Sequence, residues 1–148
     1  IDLSNACLEG TNLRESNLSH SILVDAHMDR VILRDARLLG ANFVNAELRG
    51  AKMSEAKLSG AVLENAKLGA CPAETDSGTL EVDQSADLRN ADLRGVRFAG
   101  AVLCGVVVSG ADLRGAIDLR QVDLEVMVGD ESTQIPHGLK RPKKWETK

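Results

Sequence analysis

The stretch "ELRGAKMSEAKLSGAVLENAKLGA", residues 47–70, places a large apolar residue at every fifth position. An α-helix turns about 100° per residue, so residues at this interval would be spread around all of its sides. A straight strand fails as well, because side chains alternate and successive apolar residues would face opposite sides. The chain must therefore turn a corner within each five-residue unit. The apolar residues are Leu48, Met53, Leu58, Leu63 and Leu68.

The five-residue pattern extends over most of the chain. It runs through 14 units from Leu3 to Leu68 and resumes for 6 more from Leu88 to Leu113. The residue two positions before each centre is Ala in 13 of the 20 units and is never charged. Residues two apart in an extended segment face the same way, so the small and the large residue both point inward. Because such short units cannot bury their own apolar residues, they must stack into a solenoid.

The repeated units, seen most clearly in "ADLRNADLRG" at residues 86–95, resemble the pentapeptide-repeat family. The resemblance implies an all-β fold, a right-handed quadrilateral β-helix with about 20 residues per coil. It covers nearly all of residues 1–125. The Asp or Asn that the family usually carries before the centre occurs in only seven units, at a position that faces solvent. Those residues are Asp2, Asn12, Asn17, Asn42, Asp87, Asp92 and Asp112.

The composition fits one elongated domain. The chain has 148 residues, 43% hydrophobic, but no Tyr, one Trp and two Phe, which indicates a narrow aliphatic core. No apolar run is long enough to span a bilayer, so we expect no direct contact of this chain with a membrane. The sequence starts at Ile1, already at the inward position of a unit, and we therefore expect a fragment or a processed form.

Two segments depart from the pattern in the repeat region. Residues 69–85 contain Pro72, Gly78 and an acidic cluster, and they allow either one distorted coil or a 15-residue excursion from a continuing coil. Near residue 118 the register slips by one, which predicts a bulge in the last coil. The acidic cluster, a candidate contact site for a partner, consists of Glu74, Asp76, Glu81 and Asp83.

Residues 126–148 contain no repeats and are predicted to cap the solenoid. The last coil of a solenoid exposes apolar core and unpaired backbone, and a terminal cap covers both. We assign Ile135, Leu139 and Trp145 to this cap. Similar segments follow the repeats in some bacterial pentapeptide proteins, which favours a bacterial source.

Charge restricts the choice of partner. The resemblance includes proteins that protect DNA gyrase from quinolones by mimicking DNA, which requires a strongly acidic surface. Here residues 1–68 carry 9 acidic and 8 basic residues, and residues 86–125 carry 6 and 5. The nearly neutral coils disfavour DNA mimicry, although the acidic segment could still contact a topoisomerase. The basic tail is more typical of a solvated chain end than of a nucleic-acid site.

Stacking places residue n over residue n+20, which predicts the columns of each wall. One column holds Cys7, His27, Glu47 and Lys67, and we interpret it as a surface ladder because two ligands do not make a metal site. Three scattered cysteines, including Cys71 and Cys104, suggest free thiols in a reducing compartment, and hence a cytoplasmic location.

A second column is apolar although it faces solvent. It contains Ile22, Val24, Val44 and Val62, and Val102 extends it if the interruption counts as one full coil. Such a stripe is a candidate interaction face. The alternative is that β-branched residues simply suit extended backbone.

No catalytic pattern is present in the sequence, and we expect no cofactor and no metal. The preferred hypothesis is a structural scaffold whose walls bind another protein, with homodimerisation as a variant. The alternative hypothesis is a topoisomerase-binding protein of the quinolone-resistance type.

Overall fold

The protein is described here by a computed structural model, which covers residues 1–69 and 84–147. The repeats form a four-sided coil in which the residue before each centre makes a parallel bridge to the residue 20 positions later, beginning with Asp2 to Ile22 and Cys7 to His27. In the described ranges these rungs are single-residue bridges rather than continuous strands. The regular helices there are α1, Gln121–Val126, and a 3-10 helix, Lys143–Trp145. Neither is long and apolar enough to cross a membrane.

The bridges define four walls, each named here by its outward column. The walls follow one another along the chain, so wall 1 is opposite wall 3. Wall 1 contains Asp2, Ile22, Asn42, Val62, Arg97 and Ile117; wall 2 contains Cys7, His27, Glu47, Lys67 and Val102. Wall 3 contains Asn12, Ile32, Lys52, Asp87, Val107 and Val128; wall 4 contains Asn17, Arg37, Lys57, Asp92, Asp112 and Gln134.

The core is a column of the inward residues predicted from the repeat. From Leu23 to Leu68 all the centres are fully buried, and Ala residues such as Ala51 fill the small inward position. The polar exception Ser21 is also buried, and its hydroxyl donates a hydrogen bond to the Leu18 carbonyl (2.5 Å). A buried polar group with a partner costs little, so the column remains continuous.

The corners require left-handed backbone. The last residue of most described units has φ between +56° and +74°, in glycines such as Gly50 and also in other residues such as Glu55. Asn and Asp tolerate this conformation better than most residues and predominate among the non-glycine corners. At Gly40 a Cβ would also lie 2.8 Å from Nδ1 of His20, so any larger residue there requires the imidazole to move.

The Asp and Asn residues before the centres stabilise the turn that follows them. In every one of the seven units, Oδ1 accepts a hydrogen bond from the backbone N–H two residues later, as from Val44 to Asn42 (3.1 Å) and from Arg94 to Asp92 (3.2 Å). This is the local hydrogen bond that short polar side chains offer at turns. The others are Asp2, Asn12, Asn17, Asp87 and Asp112.

The register across the interruption decides between the two interpretations left open by the sequence. Lys52 bridges Asp87, which is 35 positions later rather than 20, and the Ala86 N–H donates to the Leu68 carbonyl (2.7 Å). The coil therefore passes from Leu68 to Ala86 as if they belonged to neighbouring units. The two described ranges are thus separated by 15 residues more than the repeat needs, which is the spacing that an excursion predicts.

The last coil contains the predicted one-residue slip together with a short helix. Wall 1 has its last bridge at Ile117, and α1 then takes the place of wall 2, with Leu124 fully buried. The bridges resume at Val128 on wall 3 and Gln134 on wall 4, 21 and 22 positions after their partners. The carboxylate of Asp123 accepts hydrogen bonds from the backbone N–H (2.8 Å) and the guanidinium of Arg120, and these bonds stabilise the start of the helix. The slip that predicted a bulge is present as one additional residue between Val107 and Val128, and it falls in the coil that contains α1.

The residues assigned to the cap lie against the end of the core. Ile135 and Leu139 are partly buried on it, and Trp145 is buried, with its indole N–H directed at the Met127 carbonyl (3.3 Å). Gly129 leaves room for the indole, since a Cβ there would lie 2.8 Å from the ring. The Arg141 guanidinium donates to the carbonyls of residues 130, 131 and 133. This segment thus supplies both apolar cover and backbone partners.

The register predicts that the interruption can be removed. Deleting residues 70–84 joins Gly69 to Ser85 and spaces Leu68 and Leu88 by five, so we expect a folded chain that is no less stable than the full one. Thermal melting followed by circular dichroism measures this, with both proteins reduced so that Cys104 is in the same state.

The matched control deletes residues 71–84 and leaves one extra residue between the units. This shifts every later inward side chain outward, and we expect the melting temperature to fall by at least about 10 °C. Equal melting temperatures for the two deletions would contradict the 35-residue register.

Candidate interaction surfaces

The structure places four of the five predicted interface residues together on wall 1. We call Ile22, Val24, Val44 and Val62 the valine patch; they lie on three consecutive coils. Ile22 is 43% exposed, and the three valines are half-buried. Each follows or precedes a fully buried centre, so the backbone beneath the patch is held in place by the core. The patch is therefore a flat apolar area on a rigid support.

Val102 does not belong to this patch, which corrects the prediction made for it. Val102 bridges Lys67 on wall 2. A full extra coil at the interruption would place it on wall 1, but the register after the interruption differs from that arrangement by one wall. The place predicted for Val102 on wall 1 is taken by Arg97, which pairs with Glu64 (3.0 Å). Beyond it lies Ile117, 48% exposed, which the sequence pattern did not single out.

Wall 2 carries the predicted ladder. Nδ1 of His27 lies 2.8 Å from Oε2 of Glu47, and Nζ of Lys67 lies 3.4 Å from Oε1 of the same carboxylate. The hydrogen bond with His27 holds the pKa of Glu47 below its usual value, with a smaller contribution from Lys67. Among the described residues no group of three or more His, Cys, Asp or Glu side chains is arranged to bind a metal.

The cysteines differ from the expectation of free thiols. Cys7 is an exposed free thiol, whereas Cys104 is disulfide-bonded. Cys71 lies outside the described residues. Disulfides are rare in reducing compartments, so the cysteines no longer support the inference of a reducing environment.

Three Asp–Arg pairs of one type occur on walls 3 and 4. In each, the arginine two positions after the aspartate donates two side-chain hydrogen bonds to it, as from Arg94 to Asp92 (2.8 and 2.8 Å). These bonds hold the pKa of Asp92, and likewise that of Asp112, below the usual value. At Asp87 burial raises the pKa, but the bonds from Arg89 outweigh it and the net direction is down.

A groove of about 490 Å³ lies on wall 3 and was not predicted from the sequence. Its sides include Arg30, Arg34 and Arg89, and Lys52 stands between them. Arg89 is 37 positions from Lys52, and only the register across the interruption brings it one coil away. No periodic signal in a single sequence could have assigned these cations to one site.

The acidic residues predicted as a contact site, Glu74, Asp76, Glu81 and Asp83, lie outside the described residues.

Comparison with known families identifies the class of this protein. The sequence profile of pentapeptide repeats matches residues 1–35, 33–65 and 84–117, which together are more than half of the chain. The chain therefore belongs to the pentapeptide-repeat family, which confirms the predicted resemblance, and no catalytic family is indicated. No curated protein sequence matches it significantly.

Solved structures agree on the fold. Rfr23, a pentapeptide repeat protein from the cyanobacterium Cyanothece 51142, is similar with a TM-score of 0.63 and 22% sequence identity, covering 85% of this chain and 88% of that chain. Family membership and this likeness imply a right-handed β-helix.

Two further likenesses are weaker in structure. A pentapeptide repeat protein from the Arabidopsis thaliana thylakoid lumen is 30% identical, covering 84% of this chain and 75% of that chain, with a TM-score of 0.47. QnrB1, a plasmid-mediated fluoroquinolone resistance protein, is 17% identical over 99% of this chain and 78% of its own, with a TM-score of 0.37. Neither superposition bears on the function of this chain.

The Asp–Arg pairs predict how stability depends on pH. A carboxylate with a lowered folded-state pKa contributes stability that is present above its unfolded pKa of about 3.9 and is lost as the pH falls through the folded value. In a triple variant, Asp87→Asn, Asp92→Asn and Asp112→Asn, the amide oxygens can keep the turn bonds, but the ion pairs are lost. We expect a free energy of unfolding about 1–2 kcal/mol lower at pH 7.

Chemical denaturation at a series of pH values checks this expectation. The difference from the wild type should shrink steadily below about pH 4. A control with Glu55→Gln and Glu146→Gln changes exposed carboxylates that make no ion pair within the described residues, and it should stay within about 0.5 kcal/mol of the wild type. If the difference in the free energy of unfolding persists at pH 2, the aspartates stabilise the fold by packing or by neutral hydrogen bonds and not by their charge.

Proposed function

We propose that the chain is a non-catalytic scaffold whose rigid walls bind another protein. The observation that carries this proposal is the valine patch, an apolar area that faces solvent on three consecutive coils. Contiguous exposed apolar area of this kind is typical of interaction sites, whereas scattered single residues are not.

A second copy of the chain is the partner that the valine patch fits most simply. A flat patch on one wall can meet itself across a two-fold axis, so that the same four residues are buried on both sides. The patch carries no charge of its own, and the nearest polar neighbours on the same wall include Asn42 and the paired Glu64. Self-association therefore separates no ion pair and requires no opposite charge.

This proposal is tested by the mass of the purified chain in solution, measured by light scattering. We expect a dimer for the wild type and a monomer for the double variant Val24→Lys and Val44→Lys, because two buried lysines on each side would face each other without a partner. The matched control is Leu39→Lys and Ser59→Lys, at the same unit position on consecutive coils of wall 4, and it should remain dimeric. A monomeric wild type would exclude the patch as a self-interface.

The second candidate function is binding to a topoisomerase with protection of gyrase from quinolones. The observation that favours it is the 15-residue excursion from a continuing coil, a segment whose sequence carries four carboxylates. The nearly neutral walls argue against mimicry of DNA, so this candidate relies on the excursion alone.

A gyrase supercoiling assay with and without a quinolone separates the two candidates. We expect the wild-type chain at stoichiometric concentration to leave quinolone inhibition unchanged. Protection that survives the Val24→Lys and Val44→Lys changes but disappears on deletion of residues 70–84 would establish the second function and overturn the first.

A further inference from the structure

The groove on wall 3 exists because one coil carries small residues on both sides of the outward residue that forms the bridge, Lys52. Gly50 precedes Lys52 and Ser54 follows it, whereas the preceding coil has Arg30 and Arg34 at these positions. In the next coil Arg89 again supplies a long side chain. The wall is therefore low on both sides of Lys52, and long cationic side chains of the neighbouring coils border it.

The charge in this groove is strongly positive on a protein whose net charge is −4. The lining contains four cations, Arg30, Arg34, Lys52 and Arg89, but only one anion, Asp87. Arg89 is paired with Asp87 (2.7 Å), and Arg30 is paired with Glu9 of the preceding coil (3.0 Å). Within residues 1–69 and 84–147, Arg34 and Lys52 make no ion pair and no side-chain hydrogen bond. Arg34 attracts the Asp87 carboxylate without forming an ion pair with it. Among the described residues the two cations, on adjacent coils, therefore have no direct anionic partner.

The floor of the groove is not purely polar. Ile32 and Val107 stand at its two ends in the same column as Lys52 and Asp87, and both are half-buried. The column from Ile32 to Val107 spans three coil steps, about 14 Å, which is the length of about four extended residues. A bare phosphate would use the cations and leave the apolar ends without a partner, whereas a peptide can use both.

We infer that this groove binds an acidic segment of a partner protein, extended along the coil axis, with carboxylates at Arg34 and Lys52 and apolar side chains at the ends. This inference rests on the proposed scaffold function and adds the chemistry of the partner. It uses the wall opposite the valine patch, so one chain can hold a second copy and an acidic segment together. Because the cations are exposed, the affinity is modest and weakens with salt.

The test is the fluorescence anisotropy of a labelled ten-residue peptide of glutamates with two leucines, titrated with the full chain at low and at high salt. We expect binding at low salt that weakens as the salt concentration rises. Arg34→Glu with Lys52→Glu should weaken it by at least about tenfold, because both attractions become repulsions. The matched control, Arg37→Glu with Lys57→Glu, makes the same charge change on adjacent coils of wall 4, outside the groove, and should stay within about twofold.

Each other outcome overturns the inference. Equal loss in both variants shows that net charge, not the groove, attracts the peptide. A single-stranded oligonucleotide of equal charge that binds as tightly, with the same sensitivity to Arg34 and Lys52, marks a general polyanion site. Binding that appears only after deletion of residues 70–84 shows that the chain's own acidic residues occupy the groove. No binding at low salt removes the site altogether.

The variants also separate this inference from the proposed function. The Val24→Lys and Val44→Lys chain should bind the peptide as the wild type does, since its changes lie on the opposite wall. Loss of peptide binding in the groove variant with an intact dimer supports the groove as a site separate from the valine patch. A wild-type chain that dimerises but does not bind the peptide overturns the groove and leaves the scaffold. Circular dichroism melting of each variant shows that the coil is still folded.

Discussion

Backbone hydrogen bonds between successive coils are the constraint on which this structure depends. The N–H of Leu23 donates to the Asn42 carbonyl (2.7 Å), and the Asn42 N–H donates back to the Ser21 carbonyl (2.9 Å). Each coil is thus both the donor and the acceptor for its neighbours, and a buried peptide group without such a partner would be costly. The register of one coil therefore sets the register of the next. Every column on the surface follows from this.

That register determines which outward side chains are neighbours on each wall. Because residue n stands over residue n+20, His27 meets Glu47 on wall 2 and Val24 stands beside Val44 on wall 1. The rule changes at the interruption, where Arg89 stands one coil from Lys52 on wall 3, and again in the last coil, where the bridged residues are 21 and 22 positions apart. Ladders, an apolar patch and a cationic groove can coexist on one rod because each wall has its own column. Function in this fold resides in the columns, while the core stays nearly uniform.

The same logic explains which predictions from the sequence were right and which were not. The inward Ala and Leu positions were predictable because units of five residues can bury their apolar side chains only by stacking into a solenoid. Val102 was assigned to the wrong wall because the length of the interruption, 20 residues between centres, fits a full coil and an excursion equally well. The disulfide at Cys104 and the helix at Gln121–Val126 were missed because neither has a periodic signal.

The sequence by itself determined the unit, the inward side chains, the corner glycines and the family, since these depend on residues only a few positions apart. The tertiary structure alone decided which outward residues become neighbours after residue 69. Local spacing specifies how each unit turns. Which residues of two coils come into contact depends on the number of residues inserted between the units. Only the hydrogen bonds that close the coil at Leu68 and Ala86 reveal that number.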